Sequence, residues 1–136
     1  MRPETVLLPP LVAQARTSGV VRVVGPGLNR WSNVHVDDMA DLYARALTDP
    51  AATGFYFVEG GDASFGEIGA AIAGRLGLGP VQPWSLDEAA RAWGAGLARF
   101  ALGSNSRVRA TRARQLGWTP AHASITTWIR DGMTIG

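Results

Sequence analysis

The sequence predicts an α/β fold, on three observations. Runs of β-branched and aromatic residues at 20–24 and 54–58 have strand character. Elsewhere apolar residues recur at three- and four-residue spacing, the mark of helices with one buried face. Two Ser-x-x-Glu boxes, Ser64 with Glu67 and Ser85 with Glu88, signal helix starts. Strand-like and helix-like stretches alternate, which defines the α/β class.

In order along the chain, Pro9 and Pro10 end an opening segment. Residues 11–16 read as a short helix closed by Ser18 and Gly19, and 20–24 is the first strand, stopped by Gly25-Pro26-Gly27. A polar loop through Asn29, Arg30 and Trp31 leads to a short extended piece at 34–36. Asp37 or Asp38 is expected to cap the next helix, where Met39, Leu42, Tyr43, Ala46 and Leu47 share a face. This helix should stop near Asp49, because a residue before proline resists the helical conformation. Residues 54–58 form the second predicted strand.

The box at Ser64 opens a helix carrying Ile68, Ala71, Ile72 and Leu76 to Gly77. Pro83 makes 81–84 an edge strand at best. The box at Ser85 opens a helix that sets Leu86, Ala89, Ala90, Trp93, Leu97 and Phe100 on one face, despite Gly94 and Gly96. A loop at 103–106 precedes a basic helix at 107–116. Ile125, Trp128, Ile129 and Met133 give the last helix its apolar face. These helices call for a larger sheet than two or three strands supply.

Composition narrows the functional classes. A chain of 136 residues suits one domain, 1–136, and with 46% hydrophobic and 18% charged residues it can bury a core. All thirteen basic residues are arginine, and the net charge is only +2. The pI near 9.9 therefore reflects arginine's high pKa, not a strong positive field, and no nucleic-acid partner is expected. Without cysteine there is no disulfide, thiolate metal site or thiol catalysis. Without lysine there is no Schiff base, no phosphate-loop lysine and no Tyr-x-x-x-Lys pair. No apolar run is long enough to span a bilayer and Met1-Arg2-Pro3 does not open a signal peptide, so a soluble cytoplasmic protein without a membrane partner is expected.

Adjacent Asp37 and Asp38 at a helix start are favoured by the helix dipole. That stabilises their charged forms, the reverse of what a general acid needs. His35 lies between two valines, and the other histidine is far away at 122, so no metal site is expected. His35 reads as a hydrogen-bonded structural residue or one facing a cleft. Gly25-Pro-Gly-Leu-Asn-Arg30 imitates a dinucleotide fingerprint but carries arginine for the third glycine, loses an N–H to proline, and has no helix directly behind it. Arg107, Arg109, Arg112 and Arg114 could hold a phosphate or carboxylate, but with no interleaved aromatics they read first as a solvated helix face. Arg30, beside Trp31 on a loop, is the more promising cation for a small-molecule substrate.

The order Arg2-Pro3 with Val6, Asn29-Arg30, Val34-His-Val-Asp-Asp-Met-Ala40, Gly54-Phe-Tyr-Phe-Val-Glu-Gly60, Ser64-Phe-Gly-Glu67 and Arg112-Ala-Arg-Gln-Leu-Gly-Trp-Thr-Pro120 resembles the C-terminal half of an NAD(P)-dependent epimerase/dehydratase. That family belongs to the extended or atypical short-chain dehydrogenase/reductases. The resemblance implies the later part of a Rossmann-like fold. It implies Pro3 and Val6 near the nicotinamide of NAD or NADP, Arg30 at the anionic part of the substrate, and Asp37 and Asp38 as mainly structural helix-start acids; Trp31 beside Arg30, and His35 if it faces the cleft, complete the expected substrate side. The family's glycine-rich loop and Tyr-x-x-x-Lys pair are not in this sequence. The expectation is thus a substrate-binding portion of a truncated or split enzyme, inactive alone and holding no cofactor by itself. The alternative is a non-enzymatic module that forms a homodimer or docks on a partner chain. A cofactor-free hydrolase would lack a nucleophile with an adjacent base.

Overall fold

The computed structural model describes residues 8–134. Pro3 and Val6 lie outside the described residues. The elements are α1 (Leu8–Ser18), β1 (Arg22–Val24), β2 (Arg30–Asn33), α2 (Val36–Thr48), β3 (Gly61–Ser64), α3 (Phe65–Leu76), β4 (Gln82–Trp84), α4 (Leu86–Trp93), α5 (Ala95–Leu97), a π-helical turn (Ala98–Leu102), α6 (Thr111–Gln115) and α7 (Ile125–Asp131). The chain is α/β with short strands in two small sheets. β1 and β4 pair in parallel, Val23 opposite Pro83, whereas β2 and β3 pair antiparallel, Trp31 opposite Ala63.

Helix α3 organises the main core. Its capping box is complete: Ser64 Oγ accepts from the Glu67 N–H and Glu67 Oε2 accepts from the Ser64 N–H. Gly77 ends it in the left-handed conformation. Phe65, Ile68, Ala71 and Ile72 are buried along it, and it packs on α7, β1 and α1. Leu11, Val21, Val23, Leu102 and Ile129 close the same core. A smaller cluster gathers Leu42 of α2, Ala110, Ala113 and Trp118, with Val34, Tyr56 and Val58 against it.

Several elements differ from the sequence expectation. α1 begins at Leu8 and runs through Pro9 and Pro10, because the first turn's N–H groups have no intrahelical acceptor and proline loses nothing there. The polar segment from Arg30 is strand β2, because pairing with β3 outweighs its weak propensity. Residues 54–58 join no sheet: their β-forming side chains meet no partner strand among the described residues, and Phe55 and Phe57 stay exposed. The helix from Leu86 breaks at Gly94, where φ is +87°, and Phe100 faces solvent instead of sharing the buried face. Only Thr111–Gln115 of the predicted basic helix is helical. Residues 106–108 run beside β2 instead: the Ser106 N–H donates to the Arg30 carbonyl and the Val108 N–H to Ser32 Oγ.

The glycine-rich turn after β1 has a structural use. The Gly27 carbonyl accepts the N–H of Gly66 in the first turn of α3 at 2.9 Å. Gly27 has φ +67°, and a Cβ there would sit 2.9 Å from both Gly66 N and Val23 Cγ2. The turn therefore offers a carbonyl to a helix start rather than N–H groups to a phosphate. Gly27→Ala is expected to lower stability by about 1–3 kcal/mol through strain and displacement of α3. Urea unfolding measures this, and an unchanged midpoint would refute the role.

Candidate functional site

The start of α2 and the segment after α6 bring the two histidines together. His35, not either aspartate, is the N-cap of α2: its backbone is extended and its Nδ1 accepts the Asp37 N–H at 3.2 Å. To accept that N–H, Nδ1 must carry the ring's lone pair. Asp37 Oδ2 lies 3.6 Å from the same Nδ1 and is largely exposed.

Asp38 turns inward and is 5% exposed. Its Oδ1 accepts the Ala121 N–H at 2.8 Å, and its Oδ2 accepts the His122 N–H at 2.9 Å. Oδ2 is also 3.2 Å from His122 Nδ1, so the ring donates through Nδ1. The Asp38 carbonyl accepts from Trp118 Nε1 at 2.9 Å. Burial penalises this carboxylate, but the Ala121 and His122 N–H groups and the His122 ring outweigh the penalty and hold its pKa below the usual range. Asp38 is therefore an internal anchor and not a helix cap. The His122 ring it orients stacks on His35, with centroids 4.0 Å apart and planes inclined by 21°. One ligand atom from each of His35, Asp37 and His122 lies within 4.8 Å of the others. Sequence distance hid this cluster. The available signal was that His122 closely follows Gly-Trp-Thr-Pro, a stretch that packs back on the start of α2.

Arg30, expected as a loop cation on the substrate side, lies on β2 and is paired with carboxylates. Its Nε donates to Asp62 Oδ1 at 2.5 Å, and its guanidinium is 3.3 Å from Glu67 Oε2. Arg107 bonds the other oxygen of Asp62. The Arg30 hydrogen bond, with Arg107 beside it, holds the Asp62 carboxyl below its usual range. Trp31 donates its indole N–H to Ser104 and packs on the main core. Of the three residues expected on the substrate side, only His35 joins a cluster of ionisable side chains that includes another imidazole.

The four arginines from 107 to 114 do not form one solvated helix face. Arg112 donates to the Thr53 and Phe55 carbonyls and lies over Tyr56. Arg114 pairs with buried Glu59, which also accepts the Ala110 N–H. These bonds outweigh the burial of Glu59 and lower its pKa.

Two open cavities are defined by these elements. One, of about 510 Å³, lies between α2 and 54–58 and is lined by Met39, Leu42, Tyr43, Phe55, Phe57 and Val108, among others. The other, of about 680 Å³, lies between α3 and α7 and includes Glu67, Arg75, Thr126 and Arg130. Neither is lined by Arg30, Trp31 or His35. Among the described residues no helix is long and apolar enough to cross a membrane.

No family model matches the chain. It is 31% identical to the uncharacterized protein C2A9.02 of Schizosaccharomyces pombe, over 88% of this chain and 40% of that protein. It is 30% identical to an oxidase, ucsJ, of Acremonium sp, over 81% of this chain and 38% of the oxidase. The chain thus spans about two fifths of the length of these relatives, and one of them carries an oxidoreductase name.

Proposed function

We propose that these residues are the substrate-side portion of an NAD(P)-dependent reductase, epimerase or dehydratase, whose redox nucleotide is held by polypeptide outside them. One observation carries this reading. Among the described residues the strand-forming segment 54–58 joins no sheet, and beside it Tyr43, Phe55 and Phe57 stay exposed along one apolar groove. Such a segment is stable as a strand only when its backbone pairs. The rest of a larger nucleotide-binding sheet would supply that pair and cover the groove. The similarity to a longer oxidase and the family's order of motifs support the same assignment.

In the complete enzyme the nicotinamide would exchange hydride with a carbinol or carbonyl carbon. The acid/base tyrosine would come from the other portion, since no Tyr-x-x-x-Lys pair exists here. Pro3 and Val6 are assigned to the nicotinamide side, and Arg30, Trp31 and His35 to the substrate side. Arg30 would meet an anionic substrate group through guanidinium N–H groups not taken by Asp62 and Glu67, or in exchange for one of them.

Titrating the 136-residue chain with NADH and NADPH while following nicotinamide fluorescence is expected to give no saturation. Saturable micromolar binding by the chain alone overturns the division of labour. A second copy of the chain would be the other way to cover this groove. Light scattering distinguishes the two: a dimer that loses its association on Phe57→Asp would favour self-association over a missing cofactor portion.

A further inference from the structure

We propose that His35, Asp37 and His122 bind one divalent transition-metal ion of the zinc class. Two imidazoles and a carboxylate form a donor set suited to zinc, with a fourth position left to water or another oxygen ligand. Their ligand atoms already lie within 4.8 Å of one another. A tetrahedral ion needs them somewhat closer; the exposed Asp37 side chain can rotate to supply much of that shift, whereas His122 moves only as far as its hydrogen bond to Asp38 allows.

The second argument is the support behind His122. Its Nδ1 faces the anchored carboxylate of Asp38 at 3.2 Å, and that carboxylate is itself fixed by two backbone N–H groups. With the proton held on Nδ1, Nε2 carries the lone pair a metal requires. A carboxylate behind a histidine is how metal-binding imidazoles are commonly oriented and made more basic. Among the described ion pairs, Asp37 meets only His35, so no arginine competes for its carboxylate.

Binding must change two local features. Nearly parallel rings aim their lone pairs side by side, so the stack opens to converge on one point. His35 also gives up its capping bond, because a neutral ring has one lone pair and the Asp37 N–H now occupies it. The ion would then join the start of α2 to the segment after Trp118, two parts of the chain otherwise held together there through Asp38.

The test uses the full 136-residue chain, free of any tag histidines. Zinc sulfate is titrated by calorimetry and cobalt chloride by visible ligand-field absorption. One equivalent of each is expected to bind, with cobalt bands that zinc abolishes. His35→Asn, which keeps a side-chain oxygen for capping, and His122→Gln should each weaken binding by about tenfold or more. Far-UV circular dichroism checks that the variants fold. If either does not, Asp37→Asn at its exposed position decides: zinc should raise the thermal midpoint of the parent chain and raise it much less in this variant. Absence of saturable one-to-one binding, or undiminished binding in the folded variants, overturns the site.

Discussion

Trp118→Ala is expected to destabilise the protein by about 3–5 kcal/mol, the range for removing a large aromatic side chain from a core. Trp118 is 1% exposed and sits among Leu42, Ala110 and Ala113, with Val34, Tyr56 and Val58 around them. It is the only aromatic among the fully buried residues of that cluster, so its loss leaves a cavity that small alanines cannot fill. Its indole N–H also ties the segment after α6 to the Asp38 carbonyl. Trp118→Phe separates the two contributions. It keeps part of the volume and loses the hydrogen bond, so an intermediate loss of about 1–2 kcal/mol is expected. Guanidinium unfolding followed by circular dichroism reads both variants. An alanine variant within about 1 kcal/mol of the parent would show that the cluster contributes little.

Asp38→Ala should cost about 3 kcal/mol at neutral pH. Two backbone N–H groups would lose a charged acceptor, and each such bond contributes roughly 1.5–3 kcal/mol, partly offset by rehydration of the exposed segment. The pH dependence follows from the lowered pKa of this carboxyl in the folded protein. The unfolded chain takes up the proton first as pH falls. The stabilisation is therefore complete above the unfolded carboxyl value, near pH 4, and is lost as pH drops through the lower folded value. Glu59 acts in the same direction through Arg114 and the Ala110 N–H. In chelator-treated buffer the stability gap between the parent and Asp38→Asn should be wide at pH 7 and narrow markedly toward pH 3. An equal gap at both values would mean that the ionised carboxylate is not what holds residues 121 and 122.

The contrast between these residues and the capping boxes explains what could be read in advance. Ser64 with Glu67 and Ser85 with Glu88 satisfy each other across three residues, so their patterns announce real helix starts. The apolar face of α3, its glycine stop and the edge character of β4 are equally local. Asp38 was legible only as a helix-start acid. Its partners lie more than 80 residues away, and no periodicity points to them. For the same reason nothing in the sequence relates His35 to His122, or places Asp62 of β3 beside Arg30. At 54–58 the misreading has another origin. The side chains have strong β preference, but a strand also needs a neighbour, which propensity cannot supply.

The pairing pattern of the two sheets bears on how the chain reaches this state. Neither sheet contains a tight hairpin: β1 waits for β4, and β2 waits for β3 across the whole of α2. Ordering either pair means closing a long loop before any ladder bond compensates for the lost chain entropy. Such connectivity slows folding relative to a bundle built from neighbouring helices. The capped α3 packs on β1 and on β3, and so touches one strand of each sheet.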